Sequence, residues 1–227
     1  MRENYRLTYS VDIVLCIDTT GSMHHVIDIV KDKALSLYQD IADEMALKHK
    51  TIQKLRIRVI AFKDYHADGE DAMLASDFFE MPEQAEELRD CVMQLEAEGG
   101  GDIPEDGLEA LAFAMKSHWN TEGQKRRHII VLWSDASTHP IGAHRAEAAY
   151  PANMAESFAE LTAWWGNEQF PGCMDQDAKR LLLFAPEAPD WTQVRNWDNT
   201  IHVPTELDSG LEELDYKAVL AAIANSI

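Results

Sequence analysis

The run Val14-Leu15-Cys16-Ile17-Asp18-Thr19-Thr20-Gly21-Ser22-Met23 passes from an apolar strand to a helix through a turn rich in oxygen. Val11 to Ile17 is short, β-branched and almost without charge, as a strand buried on both faces must be. It ends on Asp18, and Thr20 and Ser22 follow at alternate positions. Three oxygens so spaced can point at one centre, which is how a hard divalent cation is held with coordination positions left open. From Met23 to about Lys48 apolar residues recur at helical spacing through Val26, Ile29, Val30, Leu37, Ile41 and Met45, predicting a helix directly after the turn.

The same theme recurs downstream. Leu55 to Phe62 reads as a second strand, followed by Lys63-Asp64-Tyr65, and Ala72 to Ala75 as a short edge strand. Met81 to Glu98, with Pro82 near its start and many Glu and Gln, reads as a solvated helix. Gly99-Gly100-Gly101-Asp102-Ile103-Pro104-Glu105 precedes a helix running to about Trp119. Ile129-Ile130-Val131-Leu132-Trp133-Ser134-Asp135-Ala136 is again an apolar strand closing on a hydroxyl and a carboxylate. Further helices are expected over 151–166 and 215–227, and strands over 179–185 and 199–203. Strands alternating with helices at this period predict an α/β fold: a doubly wound, Rossmann-like, mostly parallel central sheet with helices on both faces. The 227 residues suit one well-cored domain spanning 1–227, with no long polar linker to divide it.

Asp18-x-Thr20-x-Ser22 followed by Met23, the glycine loop and the Ser134-Asp135 strand end together resemble the metal-ion-dependent adhesion site of von Willebrand factor A domains, and their order along the chain is that family's. The resemblance implies a Mg2+ or Mn2+ site with Asp18, Thr20, Ser22, Asp102 and Asp135 as its protein ligands. It also implies an acidic side chain of a partner protein that completes the coordination shell. One departure stands out: many members carry Thr where Asp102 falls. Asp102 either reaches the ion or caps the helix that begins near Pro104. Glu105 and Asp106 are expected to act as charge partners of that helix's first turn, Ser134 as a local turn former, and Asp64 and His66 as surface-loop residues. Of the adjacent Trp164 and Trp165, at most one can face a core.

Composition narrows the classes further. Forty acidic against twenty basic side chains leave a net charge of −20, which repels phosphate backbones and argues against nucleic-acid binding. Cys16, Cys91 and Cys173 are few, odd in number and widely spaced, so neither a disulfide framework nor a zinc cluster is indicated. No leader-like or membrane-length apolar run is present, so a cytoplasmic location away from membranes is expected. The leading expectation is a metal-dependent protein-binding adaptor and not an enzyme, since no Ser-His-Asp or Cys-His constellation is recognisable. The alternative is a haloacid dehalogenase-like phosphatase with Asp18 as nucleophile and Lys179 imitating its phosphate-binding lysine; Thr20 stands where that chemistry usually needs a second carboxylate.

Overall fold

A computed structural model describes residues 7–101, 104–123, 125–209, 211 and 215–227. In chain order the elements are β1 (Leu7–Asp18), α1 (His24–Lys33), α2 (Leu37–Leu47), β2 (Lys50–Phe62), α3 (Tyr65–Asp68), β3 (Met73–Ala75), β4 (Phe79–Met81), α4 (Ala85–Met93) and α5 (Gly107–Met115). They continue with β5 (Arg126–Trp133), α6 (Phe158–Trp165), β6 (Lys179–Pro186), α7 (Pro189–Val194), β7 (Thr200–Thr205) and α8 (Tyr216–Ser226).

The sheet has the order β3-β2-β1-β5-β6-β7, with β4 also pairing β2. β2, β1, β5, β6 and β7 run parallel, while β3 and β4 are antiparallel to β2. This is the expected doubly wound α/β architecture. The chain winds outward to β2 on one side of β1 and to β5 on the other, so the order reverses between β1 and β5. Ligands of such sheets bind beyond the carboxyl ends of the strands at that reversal.

Alternation along the central strands divides the core in two. Val11, Ile13, Leu15 and Ile17 of β1 pack with Ile57 and Val59 of β2, Ile129 and Val131 of β5, Met23, Ile27 and Ile41 from the segment after β1, and Ile223 of α8. Val14 and Cys16 point the other way, joining Phe62, Ile130, Leu132, Leu108 and Leu111 of α5, Trp165 of α6 and Trp191 of α7. Both faces of β1 and β5 are therefore dry, which is why their sequences read as unbroken apolar runs.

The differences from expectation have local causes. The helix expected over 23–48 is a 3-10 turn (Gly21–Met23), α1 and α2, broken at residues 34–36. There Ser36 Oγ donates to the Lys33 carbonyl at 3.3 Å and to Asp40 Oδ2 at 2.9 Å, the local competition with helix bonds that Ser offers. Likewise α6 starts at Phe158, not 151, because Ser157 Oγ caps it by accepting from Glu160 N–H. The segment expected to be helical from Met81 enters as β4 instead, and α4 follows only at Ala85. Trp165 is buried in the core, while Trp164 is half-buried with the Lys116 ammonium 3.7 Å from its ring centroid.

Gly107 at the head of α5 lies against Trp191: a Cβ there would come within 2.6 Å of the indole ring. Gly107→Ala is therefore expected to cost about 1–3 kcal/mol through overpacking. Urea unfolding of the two proteins checks this, and equal midpoints would refute the contact.

Candidate functional site: the carboxyl edge of strands β1 and β5

Asp18 is the last residue of β1, level with Phe62 of β2, and the preceding Ile17 is level with Trp133 of β5. Both strands leave the sheet here, so their next residues form adjacent loops. Asp18 is fully buried. Its Oδ1 accepts from Thr20 N–H at 3.0 Å and from Thr20 Oγ1 at 2.6 Å, and its Oδ2 accepts from Ser134 Oγ at 2.7 Å. Ser22 Oγ donates to Asp135 Oδ1 at 3.0 Å, spanning 113 residues of sequence. The structure thus brings Asp18, Thr20, Ser22 and Asp135 to one edge of the sheet; Asp102 lies outside the described residues. Ser134 forms its local turn, accepting from Ala136 N–H at 3.1 Å, and in addition orients Asp18.

These groups surround a cleft of about 210 Å³ lined by Thr20, Gly21, Ser22, Gly99, Gly100, Gly101, Glu105, Asp135, Ala136 and Asp208. The glycine loop is tied to its neighbours: Glu98 N–H donates to the Thr19 carbonyl at 3.1 Å, and Gly100 N–H reaches Asp68 Oδ2 at 3.2 Å. Gly100 has φ +73°, and a Cβ there would stand 2.8 Å from Thr20 Cγ2 and 3.0 Å from Glu105 Oε1. Only glycine can adopt that backbone and leave Thr20 and Glu105 in place.

Glu105 departs from expectation. Its backbone pairs with the strand extension after β5, Glu105 N–H donating to the Ser137 carbonyl at 3.0 Å and His139 N–H to the Glu105 carbonyl at 2.8 Å. Its side chain is buried facing the cleft, and Oε2 has no hydrogen-bond partner among the described residues. Burial, then the charges of Asp18, Asp64, Asp68 and Asp106, pushes its carboxyl up to about 9. Asp18 is pushed up to about 6, chiefly by burial and further by the charge of Asp135, against the hydrogen bonds from Thr20 and Ser134. A buried carboxylate without compensating charge is costly, so this edge favours a cation.

Asp106 does not serve the dipole of α5 through a side-chain cap. Its Oδ2 accepts from Tyr65 N–H at 2.6 Å and contacts His144 Nδ1 at 2.9 Å. Asp64 is equally removed from a surface-loop role: it is buried, caps α3 by accepting from His66 and Ala67 N–H, and contacts His139 Nε2 at 2.9 Å. Burial opposes its ionisation, yet the Ala67 bond together with His139 and His144 holds its carboxyl below the usual carboxylate range.

A family model for the von Willebrand factor A domain matches residues 12–138, which takes in β1 from Asp12 onward, the glycine loop and the Ser134-Asp135 strand end. This chain belongs to the von Willebrand factor A family. Among solved structures this A-type domain is similar to the pilus adhesin SpaC of Lactobacillus rhamnosus GG, with 12% identity and a TM-score of 0.52 over 98% of the chain and 31% of the adhesin. It is also similar to proximal thread matrix protein 1 of the mussel byssus, with 10% identity and a TM-score of 0.51 over 97% of the chain and 49% of that protein. The A-type domain thus spans about a third to a half of these proteins, and at such identities the likeness is one of fold. No curated protein matches the chain.

The loop carrying Asp135 has a structural support of its own. Trp191 Nε1 of α7 donates to the Ala136 carbonyl at 2.9 Å inside the core. Trp191→Phe removes that donor and part of the indole volume buried in the core, so a loss of about 2–4 kcal/mol is expected; a cation held by the Asp135 loop would also be bound more weakly. Thermal melting with and without Mg2+ reads both effects; an unchanged Mg2+ response would show that the loop needs no such anchor.

Proposed function

We propose that this A-type domain is a divalent-cation-dependent protein-binding module, an adaptor and not a catalyst, that works from the Asp18–Asp135 edge. The observation that supports it best is the convergence of Ser22 on Asp135 and of Thr20 and Ser134 on Asp18, around a cleft where Glu105 Oε2 is buried without a partner among the described residues. The donors facing the cleft are hydroxyl and carboxylate oxygens, which suit Mg2+ or Mn2+ and not a thiophilic metal. Asp18, Thr20, Ser22 and Asp135 would hold the ion, with Asp102 as a further candidate on the glycine loop. A bound ion supplies a positive centre in an otherwise acidic edge, and an acidic side chain of a partner protein can then complete its shell.

The chain's own residues do the positioning. Thr20 and Ser134 use three hydrogen bonds to fix the rotation of the Asp18 carboxylate, and Trp191 holds the Ala136 carbonyl beside Asp135. The phosphatase alternative finds less support. Lys179 pairs with His128, which pairs with Asp12 in the middle of β1, six residues and about 20 Å from Asp18. Its ammonium is buried against the carbonyls of Trp165 and Gly166 and the carboxylate of Asp198. Among the described residues no helix is long and apolar enough to cross a membrane. The three cysteines are free, which is compatible with the cytoplasmic location we propose.

Melting the protein in Mg2+, Mn2+ or a chelator tests the cation requirement. An ion at about 100 times its dissociation constant is expected to add about 2.7 kcal/mol of stability. Partners captured from a lysate with the domain as bait are then expected to be lost on chelation. Absence of any shift with Mg2+ or Mn2+ would leave a scaffold without metal, and hydrolysis of a generic phosphate ester abolished by Asp18→Asn would favour the phosphatase.

A further inference from the structure

Next to Glu105, whose carbonyl accepts from His139 N–H, lies a group of side chains that the protein-binding reading does not use. Asp64 between β2 and α3, His139 after β5 and His144 in the following loop offer ligand atoms that all lie within 4.8 Å of one another. His139 Nε2 is 2.9 Å from Asp64 Oδ2, while His144 Nδ1 is 3.7 Å from Asp64 Oδ1 and 2.9 Å from Asp106 Oδ2. The imidazoles meet edge to face with centroids 4.3 Å apart. Asp64 is buried, and the two histidines keep 20% and 14% of their side-chain surface, so the group is open to solvent on the histidine side only.

We propose that Asp64, His139 and His144 form a second cation site, specific for a first-row transition-metal ion of the zinc type. Three features of the chemistry support it. Two imidazole nitrogens and one carboxylate are the donors such ions prefer, whereas Mg2+ prefers oxygens alone. The nitrogens that face the carboxylate oxygens are ring nitrogens able to coordinate, Nε2 of His139 and Nδ1 of His144, each ring then keeping its proton on the other nitrogen. The surroundings are strongly acidic: Asp106 is buried with Oδ1 unpartnered among the described residues, and Glu109 lies close behind, its Oε1 holding the histidine loop through Gly142 N–H at 2.8 Å and Tyr150 OH at 2.8 Å. A dication bound here would offset charge that two hydrogen-bonded imidazoles offset only when protonated. The three protein ligands leave at least one position for water. The charges of both Asp18 and Asp64 act on the Glu105 carboxyl, so Glu105 is electrostatically linked to both sites.

The test uses the whole chain with saturating Mg2+ present, so that the Asp18 edge is filled, and titrates Co2+ followed by visible absorption, then Zn2+ in competition. One equivalent of Co2+ with the d–d spectrum of nitrogen and oxygen ligation, displaced by Zn2+, is expected. His139→Gln and His144→Gln are each expected to weaken that binding more than about 100-fold while keeping the Mg2+-dependent melting shift. Asp18→Ala is expected to keep the Co2+ equivalent, so failure of one site is distinguishable from failure of the other. Because the histidine variants also remove hydrogen bonds that hold the loop, 15N spectra of the unaltered protein supply a second readout: Zn2+ should shift the coordinating ring nitrogens of His139 and His144. No stoichiometric Co2+ or Zn2+ uptake, binding unchanged in both variants, or shifts confined to other histidines would overturn the proposal.

Discussion

Asp18→Ala is expected to weaken Mg2+ binding more than about 100-fold while the protein stays folded, because Asp18 is a proposed direct ligand whereas outer partners of a metal typically account for 10–100-fold. The fold survives on balance. The substitution strands Thr20 N–H, Thr20 Oγ1 and Ser134 Oγ, a penalty of about 1–3 kcal/mol for each donor that stays dry, yet it also removes a buried carboxylate. Asp18→Asn keeps an acceptor for these donors and is the milder control. Calorimetric titration measures the affinity and circular dichroism the fold; Mg2+ affinity equal to that of the unaltered protein would refute the assignment of Asp18.

Glu105→Gln is expected to stabilise the metal-free protein. The folded carboxyl is pushed up to about 9 by burial and by its acidic neighbours, from an ordinary 4.5. Below the ordinary value the group is protonated in both states and contributes nothing. Between the two values the folded protein holds a proton that the unfolded chain has released, so stability falls as pH rises, by about 1.4 kcal/mol per pH unit. Glutamine removes this dependence. At pH 7 the variant should therefore gain on the order of 3 kcal/mol, or about 6–12 °C in melting temperature, and the gain should grow toward pH 9 and vanish near pH 4. Saturating Mg2+ should narrow the difference, since a nearby cation favours the ionised glutamate in the unaltered protein. Equal melting of both metal-free proteins across this pH range would show that Glu105 is not confined beside Asp18.

Strong apolar runs made the sheet legible. β1, β5 and β6 are buried on both faces, so hydrophobicity alone marks them, and the Asp-x-Thr-x-Ser turn and Ser134-Asp135 mark where two of them end. Helix limits were less legible because they depend on single side chains, as Ser36 breaking the first helix and Ser157 delaying α6 illustrate. β4 was hidden for a different reason: Phe79–Met81 pairs antiparallel with Leu55–Ile57, a match set by tertiary contact and not by periodicity. At the site, the spacing of Asp18, Thr20 and Ser22 was readable because all three lie on one turn. Glu105 and Asp106 were misplaced because their place next to the helix suggested the dipole, whereas the bridge from Glu105 to Thr138 turns one carboxylate to the cleft and leaves the other with Tyr65 and His144. The spacing His139-x4-His144 was the available signal for the histidine group. It became informative only when β2 brought Asp64, 75 residues before His139, beside it.

Anomalous diffraction at the manganese edge from crystals grown in Mn2+ tests the central claim most directly. The account predicts one strong peak in the cleft among Asp18, Ser22 and Asp135, at about 2.0–2.2 Å from at least one hydroxyl or carboxylate oxygen. A fully ordered Asp18–Asp135 edge with Ser22 still bonded to Asp135, and no anomalous density there at saturating Mn2+, would contradict it.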